Sequence, residues 1–125
     1  MAKKKDSDRE ERIHMEIVVD ANGEEEQAMG WYYYLQDNLQ FPFPAKCISE
    51  RPISPLRVDD QVSVIDMPPD GECMREMFVT IEWDKRKLAV PLSQLQVIKA
   101  NKETQQAVED WYYWVRWDTS SKWTR

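Results

Sequence analysis

The sequence has few of the residues from which common catalytic and zinc sites are built: two cysteines, one histidine and three glycines in 125 residues. Cys47, Cys73 and His14 are widely spaced, and three soft ligands are fewer than a structural zinc site needs. Both cysteines are expected to be buried, reduced thiols. No GxSxG or HExxH motif is present, and so few glycines leave little for a phosphate-binding loop. We therefore predict no enzymatic activity; a carboxylate-dependent hydrolase is an alternative that would need an open cleft.

Long hydrophobic runs are also missing. No apolar stretch approaches the roughly 20 residues of a membrane span, and the charged N-terminus has no apolar run behind it. We expect a soluble, cytoplasmic protein without a membrane partner. Residues 1–11 are charged and predicted to be a disordered tail, followed by a single domain over residues 12–125.

The net charge of −6 is unevenly distributed along the chain. Residues 15–72 contain twelve acidic and three basic side chains, a balance of −9, while residues 1–14 carry +1 and residues 73–125 carry +2. Crowded negative charges destabilise a fold and repel nucleic acid, so no nucleic-acid partner is expected. A bound cation would relieve the repulsion; a solvated acidic surface is the alternative.

The residue pattern predicts a helix on each side of a group of strands. Before the first helix, a short alternation predicts a strand through Ile13, Met15, Ile17 and Val19. Asp20 or Asn22 is expected to cap a helix from about Glu24 to Leu39. Its predicted buried stripe contains Met29, Tyr32, Tyr33 and Leu35 or Gln36. The second helix is predicted near the C-terminus, with an apolar face formed by Thr104, Val108, Trp111, Tyr112 and Val115 and widened by Trp114 and Trp117.

Between the two helices, short β-like runs are separated by turn residues. The runs lie at residues 45–48, 56–65, 77–83, 88–90 and 96–98, with one helical turn at residues 92–95. This order is typical of a small five-stranded barrel. The predicted fold class is therefore α+β, a barrel-like antiparallel β-sheet flanked by an N-terminal and a C-terminal helix that cover its open ends.

Acidic residues at turns are the candidate metal ligands. Asp37 and Asn38 lie where the first helix ends, next to unpaired backbone carbonyls and the negative end of the helix dipole. Asp70, Glu72 and Glu76 lie on a second turn, which could face the same point or form another site. Calcium accepts such a mixture of carboxylate, amide and carbonyl oxygens. The alternative is a capped helix end without an ion, and Asp59-Asp60 resembles an ordinary turn.

No acidic segment matches an EF-hand. In residues 66–77, Pro68 occupies a ligand position and Met77 stands where the bidentate glutamate belongs.

Two aromatic runs, at residues 31–34 and 111–114, could stack nucleic-acid bases, but the necessary basic groove is missing. We expect them to pack the helices onto the barrel, with outer rings exposed as a partner surface. A small-barrel protein–protein interaction module without a metal is accordingly the alternative function.

Several motifs in order resemble the cyanobacterial CcbP-type calcium-binding proteins. The resemblance covers about residues 12–117 and rests on MGWYYYLQDNLQFPFPAKCI, ISPLRVDDQVSV, MFVTIEW, LAVPLSQL and ETQQAVEDWYYWV. It implies a small acidic cytoplasmic protein that binds Ca²⁺ without EF-hands, as a buffer or sensor, in a family linked to calcium signalling during heterocyst differentiation. It also implies that Asp37 is a principal ligand, helped by Asn38 and nearby carbonyls, with Asp70, Glu72 and Glu76 as further candidates. The second half of this chain is less acidic than the resemblance implies, which weakens the expectation of a second site.

Overall fold

The structure, a computed structural model, describes residues 7–19 and 21–117. Within these residues there are three α-helices and five β-strands. Their bounds are α1 Ser7–Arg12, α2 Glu24–Asn38, β1 Phe43–Cys47, β2 Gln61–Asp66, β3 Phe78–Trp83, β4 Arg86–Pro91, β5 Leu95–Val97 and α3 Lys102–Trp117. A π-helical turn spans Ile13–Ile17, and 3-10 turns span Asp70–Cys73 and Leu92–Gln94. None of the helices in the described ranges is both long and apolar enough to cross a membrane.

The five strands form one antiparallel sheet in the order β4-β3-β2-β1-β5. Ile81 lies opposite Leu88, Phe43 opposite Val64 and Ala45 opposite Val97. The α+β class and the five antiparallel strands are confirmed. Barrel closure is not confirmed, because β4 and β5 do not pair in the described part of the chain. The short β5, three residues long, pairs only with β1 among the described strands.

Alternating burial in the central strands explains why these segments form a sheet. Val62, Val64, Val79 and Ile81 are buried, and the residues between them are more exposed. The β3–β4 hairpin turns at Asp84 and Lys85, whose φ angles are 51° and 66°. Two positive φ angles match the twist of a tight hairpin. Cys47 and Cys73 are buried and unpaired, as predicted.

The strand predicted over residues 13–19 is wrong, because Ile13–Ile17 continue α1 as a π-helical turn and residues 18 and 19 form a bend and a turn. Ile13 and Ile17 are buried, whereas Met15 is 65% exposed and Val19 is 49% exposed. Residues four apart share a helix face, so a short alternating run fits both periods. Residues 7–11 of the predicted disordered tail are helical, and residues 1–6 lie outside the described residues.

Gly30 allows the N-terminal segment, defined here as Ser7–Val18, to lie directly on α2. A Cβ atom at Gly30 would overlap the Ile17 carbonyl oxygen. A glycine that weakens the interior of a helix therefore serves the close approach of two backbones. The N-terminus of α2 lacks the predicted Asp20 or Asn22 cap: its N-cap is Gly23, and the Glu26 carboxylate accepts a hydrogen bond from the Asn22 backbone N–H at 2.7 Å. Asp20 lies outside the described residues.

Helices α2 and α3 pack against each other and share the core with the sheet, rather than covering two opposite openings. The rings of Trp31 and Trp111 lie 5.2 Å apart, and those of Trp31 and Trp114 lie 5.7 Å apart. The buried residues of α2 are Ala28, Trp31, Tyr32 and Leu35. The predicted stripe was misplaced at its edges, because Met29 is only half-buried and Tyr33 is 51% exposed.

The predicted apolar face of α3 is largely confirmed. Thr104, Val108 and Trp111 are buried, while Tyr112 and Val115 are half-buried. Trp114 is also buried, and the side chain of Trp117 lies outside the described residues. The two tryptophans of this helix whose side chains are described, Trp111 and Trp114, therefore pack in the core.

Candidate metal site

The C-terminus of α2 presents a mixed set of oxygen atoms. The Asn38 amide group donates a hydrogen bond to the Tyr34 carbonyl at 2.8 Å, which leaves the Asn38 side-chain oxygen as an acceptor. The Leu39 N–H donates to the Leu35 carbonyl at 2.8 Å and closes the last turn. Among the described residues, no hydrogen-bond donor reaches the Gln36 or Asp37 carbonyl at this helix end.

Thr104 ties this helix end to the start of α3. Its buried hydroxyl accepts a hydrogen bond from the Gln40 N–H at 2.8 Å and donates to the Asn38 carbonyl at 3.4 Å. The Asn101 side chain caps α3 by accepting from the Thr104 N–H at 2.8 Å. The Asn38 carbonyl, which was expected to be free, therefore accepts a hydrogen bond. The position of the α2 C-terminus is fixed by a contact between residues 64 positions apart in the chain.

A groove of about 380 Å³ contains Asp37 and Asn38. Its walls come from α2, from the N-terminal segment and from Gln106 of α3. The residues of the N-terminal segment that line it are Arg12, Glu16 and Ile17. Asp37 and Glu16 are exposed, and neither forms a salt bridge within the described ranges. Two negative charges from separate elements therefore face one groove, and a bound cation would reduce their mutual repulsion.

An ion pair between Arg12, which lines the groove, and the buried Asp110 lies next to the groove. Asp110 of α3 is 0% exposed, and Arg12 binds it through two hydrogen bonds, Nε to Oδ2 at 2.9 Å and Nη2 to Oδ1 at 2.8 Å. The Tyr34 hydroxyl donates to Asp110 Oδ2 at 2.6 Å, and Arg9 lies 3.4 Å from Oδ1. The hydrogen bond to Asp110 raises the pKa of Arg12, and burial together with that carboxylate raises the pKa of Tyr34 to about 12. Asp110 compensates the Arg12 charge, so Arg12 opposes a cation in the groove less than a free arginine would.

Sequence reasoning missed the set of Arg12, Tyr34 and Asp110. One signal could have revealed it, since Asp110 is a charged residue inside the apolar face of α3, between the buried residues Ala107 and Trp111. A carboxylate on a buried helix face needs a partner. The sequence does not say which arginine supplies that partner.

Asp70 and Glu72 lie on the 3-10 turn Asp70–Cys73, are exposed, and do not line the groove that contains Asp37. The turn is attached to α2 through Tyr32, whose hydroxyl donates to the Pro68 carbonyl at 2.7 Å. Burial raises the pKa of Tyr32, and the nearby negative charge, including that of Asp70, adds to the effect.

Glu76 is already bound by cationic and hydroxyl donors. Arg51 forms two hydrogen bonds to its carboxylate at 2.9 and 3.0 Å, and the Ser93 hydroxyl donates at 3.1 Å. The Glu76 side chain is 14% exposed. Asp59 and Asp60 form an ordinary turn, in which Asp60 accepts a hydrogen bond from the Arg57 N–H at 2.9 Å.

Asp37 and Asn38 line the groove at the end of α2, whereas Asp70, Glu72 and Glu76 do not. Over residues 7–19 and 21–117, no three acidic, histidine or cysteine side chains converge as a metal-binding group. A site at Asp37 would depend on carboxylate, amide and helix-end carbonyl oxygens completed by water. Calcium, with about six to eight oxygen ligands and flexible geometry, fits such a donor set.

Comparison with known proteins agrees with this chemistry. A family model for CcbP, described as calcium binding, matches residues 11–115. The crystal structure of Anabaena CcbP has a TM-score of 0.80 and 39% sequence identity, covering 91% of this chain and 94% of that chain. A calcium-binding protein in the calcium-binding form has a TM-score of 0.78 and 40% identity, covering 88% of this chain and 90% of that chain. No curated protein matches the chain.

Proposed function

Because the chain belongs to the CcbP family of calcium-binding proteins, whose ligand is Ca²⁺, we propose that it binds this ion without an EF-hand in the groove at the C-terminus of α2. The similarity to a calcium-binding protein in the calcium-binding form, at 40% identity over 88% of the chain, carries this proposal. The groove is the proposed place for the ion because Asp37 and Asn38 line it beside the Gln36 and Asp37 carbonyls, to which no donor in the described part of the chain binds.

Asp37 supplies the principal charge in this proposal, and Asn38 supplies a neutral oxygen. The negative end of the α2 dipole adds to the attraction for a cation. Since the Arg12 charge is compensated by Asp110, the groove keeps a net attraction despite the arginine in its wall. Ionised carboxylates are required, so affinity is expected to fall below about pH 5.

Asp70, Glu72 and Glu76 form a second and weaker set in this proposal. Calcium at Glu76 must compete with the two Arg51 hydrogen bonds, and this competition lowers affinity. Asp70 and Glu72 are exposed, as Asp37 is, but they do not line the groove at the end of α2.

We further propose that the protein acts in the cytoplasm as a calcium buffer or sensor rather than as an enzyme. The links to cyanobacteria, calcium signalling and heterocyst differentiation stay predictions from the family. The absence of nucleic-acid and membrane partners stays a prediction from the charge distribution and the lack of long apolar runs. The alternative interaction module loses much of its support, because Trp111 and Trp114 are buried. Tyr33 is the exposed aromatic residue left for a protein partner within the described chain.

Titration calorimetry of chelator-treated protein with CaCl₂ tests the proposal, with melting temperatures measured in parallel. A saturable heat and a rise in melting temperature are expected, corresponding to about 2.7 kcal/mol at a calcium concentration 100 times the Kd. Magnesium should produce a much smaller rise, since it is smaller and loses water reluctantly. Equal shifts from the two ions would reduce the effect to charge screening and contradict the proposal.

A further inference from the structure

The N-terminal segment Ser7–Val18 forms one wall of the proposed calcium groove. Glu16 is the acidic residue that this wall contributes, and Asp37 is the acidic residue contributed by α2. The other two helices fix the opposite side, because Thr104 and the tryptophan cluster hold α2 and α3 together. The groove therefore exists in full only when the N-terminal segment lies against α2.

Buried apolar residues and polar contacts to α3 hold the N-terminal segment in place. Ile13, Ile17 and Val18 are its buried residues, and α1 has none. Arg12 binds Asp110 at 2.8 and 2.9 Å, and Arg9 lies 3.5 Å from Glu109 and 3.4 Å from Asp110. The His14 ring also lies against Trp114, with ring centroids 6.4 Å apart. Tyr113 adds a hydrogen bond to Glu10 at 2.7 Å. A segment at the edge of a fold can open locally as a unit while the rest of the domain stays folded.

Glu16 and Asp37 work against this docking when no cation is present. Docking brings two carboxylates of like charge to the same groove, and Arg12 offsets little of that repulsion because Asp110 already binds it. A divalent cation between the walls would be attracted to both carboxylates. The docked state consequently binds the ion more tightly than the open state does.

We infer that calcium occupancy of the Asp37 groove and docking of the N-terminal segment are thermodynamically coupled, so that this segment is the calcium-responsive element of the fold. The inference rests on the proposed function, because it assigns a regulatory consequence to the same site. Coupling is reciprocal: if calcium favours docking, any change that loosens docking weakens calcium binding by the same factor.

Amide hydrogen exchange of the full chain, measured with and without saturating CaCl₂, tests the coupling directly. Exchange at residues 13–18 should slow by at least about fivefold, the lower end of ordinary coupling between two sites. Glu16→Gln should reduce both the slowing and the affinity, whereas Glu11→Gln, an exposed change outside the groove, should alter neither. Calcium binding in calorimetry with unchanged exchange at residues 13–18 would overturn the coupling and leave the proposed function intact. The absence of any calcium heat would overturn both.

Arg12→Gln separates coupling from simple electrostatics. Removal of a positive charge from the groove wall would, by charge alone, tighten calcium binding. Loss of the anchor to Asp110 loosens docking, and reciprocity then predicts weaker binding, by about fivefold or more. Arg12→Lys keeps the charge but not the two-point contact and should give an intermediate loss, with folding of both variants checked by circular dichroism. Tighter calcium binding by a folded Arg12→Gln variant would contradict the inference.

Discussion

The groove at Asp37 and the loop from Asp70 to Glu76 look alike in the sequence but differ in how their acids are used. Each region contains an arginine that binds a carboxylate at two points, with Arg12 on Asp110 in the first and Arg51 on Glu76 in the second. At the groove, Arg12 forms its salt bridge with Asp110 of α3, and Asp37 forms no salt bridge among the described residues. At the loop, Arg51 binds Glu76, which is itself one of the candidate ligands.

This difference teaches that a carboxylate contributes to a cation site according to its partners, rather than according to the local density of acids. A carboxylate that already binds a guanidinium has its charge compensated and some of its oxygen lone pairs occupied, so it attracts an ion less strongly. Counting acids along the chain therefore overestimates the loop and underestimates the groove, whose second acidic wall residue, Glu16, comes from a distant segment.

The largest expected effect is on stability, from Asp110→Asn. Loss of the charge leaves Arg12 without its buried counter-ion, and breaking such a pair costs roughly 3–5 kcal/mol. Urea denaturation followed by circular dichroism measures the loss. Glu109→Gln, next to Asp110 but exposed, is the matched control and should change stability little. Equal effects of the two substitutions would show that the Arg12–Asp110 pair contributes no more to stability than the exposed Glu109 does.

Asp37→Asn should have the next largest effect, on affinity rather than on stability. It removes the charge of the principal proposed ligand, so calcium binding is expected to weaken by at least about tenfold, or about 1.4 kcal/mol. Titration calorimetry gives the Kd values. Asp59→Asn, an acidic turn residue whose positive φ asparagine also tolerates, should leave the Kd unchanged. An unchanged titration for Asp37→Asn would move the site away from the groove.

Glu76→Gln should give the opposite pattern. The variant keeps its size but weakens the contacts with Arg51 and Ser93, so a stability loss of about 1 kcal/mol is expected. The groove Kd should stay within about twofold, because distant sites act independently. Glu72→Gln, on the neighbouring turn and exposed, serves as the control for stability. A large loss of calcium affinity at the groove in Glu76→Gln would indicate that the two regions form a single site.

The smallest expected effect is a difference in alkaline stability between the two regions. Burial raises the pKa of Cys73, in the loop, from 9.0 to about 11, and it raises the pKa of Tyr34, which lines the groove, from 10.0 to about 12. Both folded pKa values exceed the unfolded ones, so the stabilisation is complete at lower pH and is lost as pH rises through these ranges. Melting temperatures should fall first through Cys73 and then through Tyr34.

The substitutions Cys73→Ala and Tyr34→Phe should each remove the corresponding part of this pH dependence, while Tyr33→Phe, at an exposed tyrosine, should not. An identical decline in all variants would show that neither group carries the alkaline transition.

Much of the fold could be predicted because local signals agreed. The acids after Gly23 and the prolines after Leu39 mark the ends of α2, and the observed helix, Glu24–Asn38, lies within one residue of the prediction. The β-like runs predicted at residues 77–83 and 88–90 correspond to β3 and β4, which pair as a hairpin around Asp84 and Lys85. Repeated signals of this kind hold over enough residues to distinguish strand from helix.

The errors arose where the pattern was short or where packing depended on another element. Four alternating apolar residues from Ile13 to Val19 do not distinguish a strand from a helical turn, and α2 provides no strand edge with which they could pair. The α2 stripe was misplaced because Trp31 packs against Trp111 and Trp114, which the sequence of α2 does not reveal. Barrel closure depends on whether β4 reaches β5, and this is a property of the whole sheet.

The residue order alone predicted α2 and α3 but not α1. It also predicted most of the strands, the aromatic core, the family and the position of Asp37 and Asn38 at a helix end, since each of these follows from neighbours in the chain. The assignment of partners came from the folded molecule. Arg12 meets Asp110 across 98 residues and Arg51 meets Glu76 across 25, and these contacts settle which carboxylates are neutralised and which face the groove. Charge is a local property of the sequence, but its compensation depends on which side chains packing brings within hydrogen-bond distance.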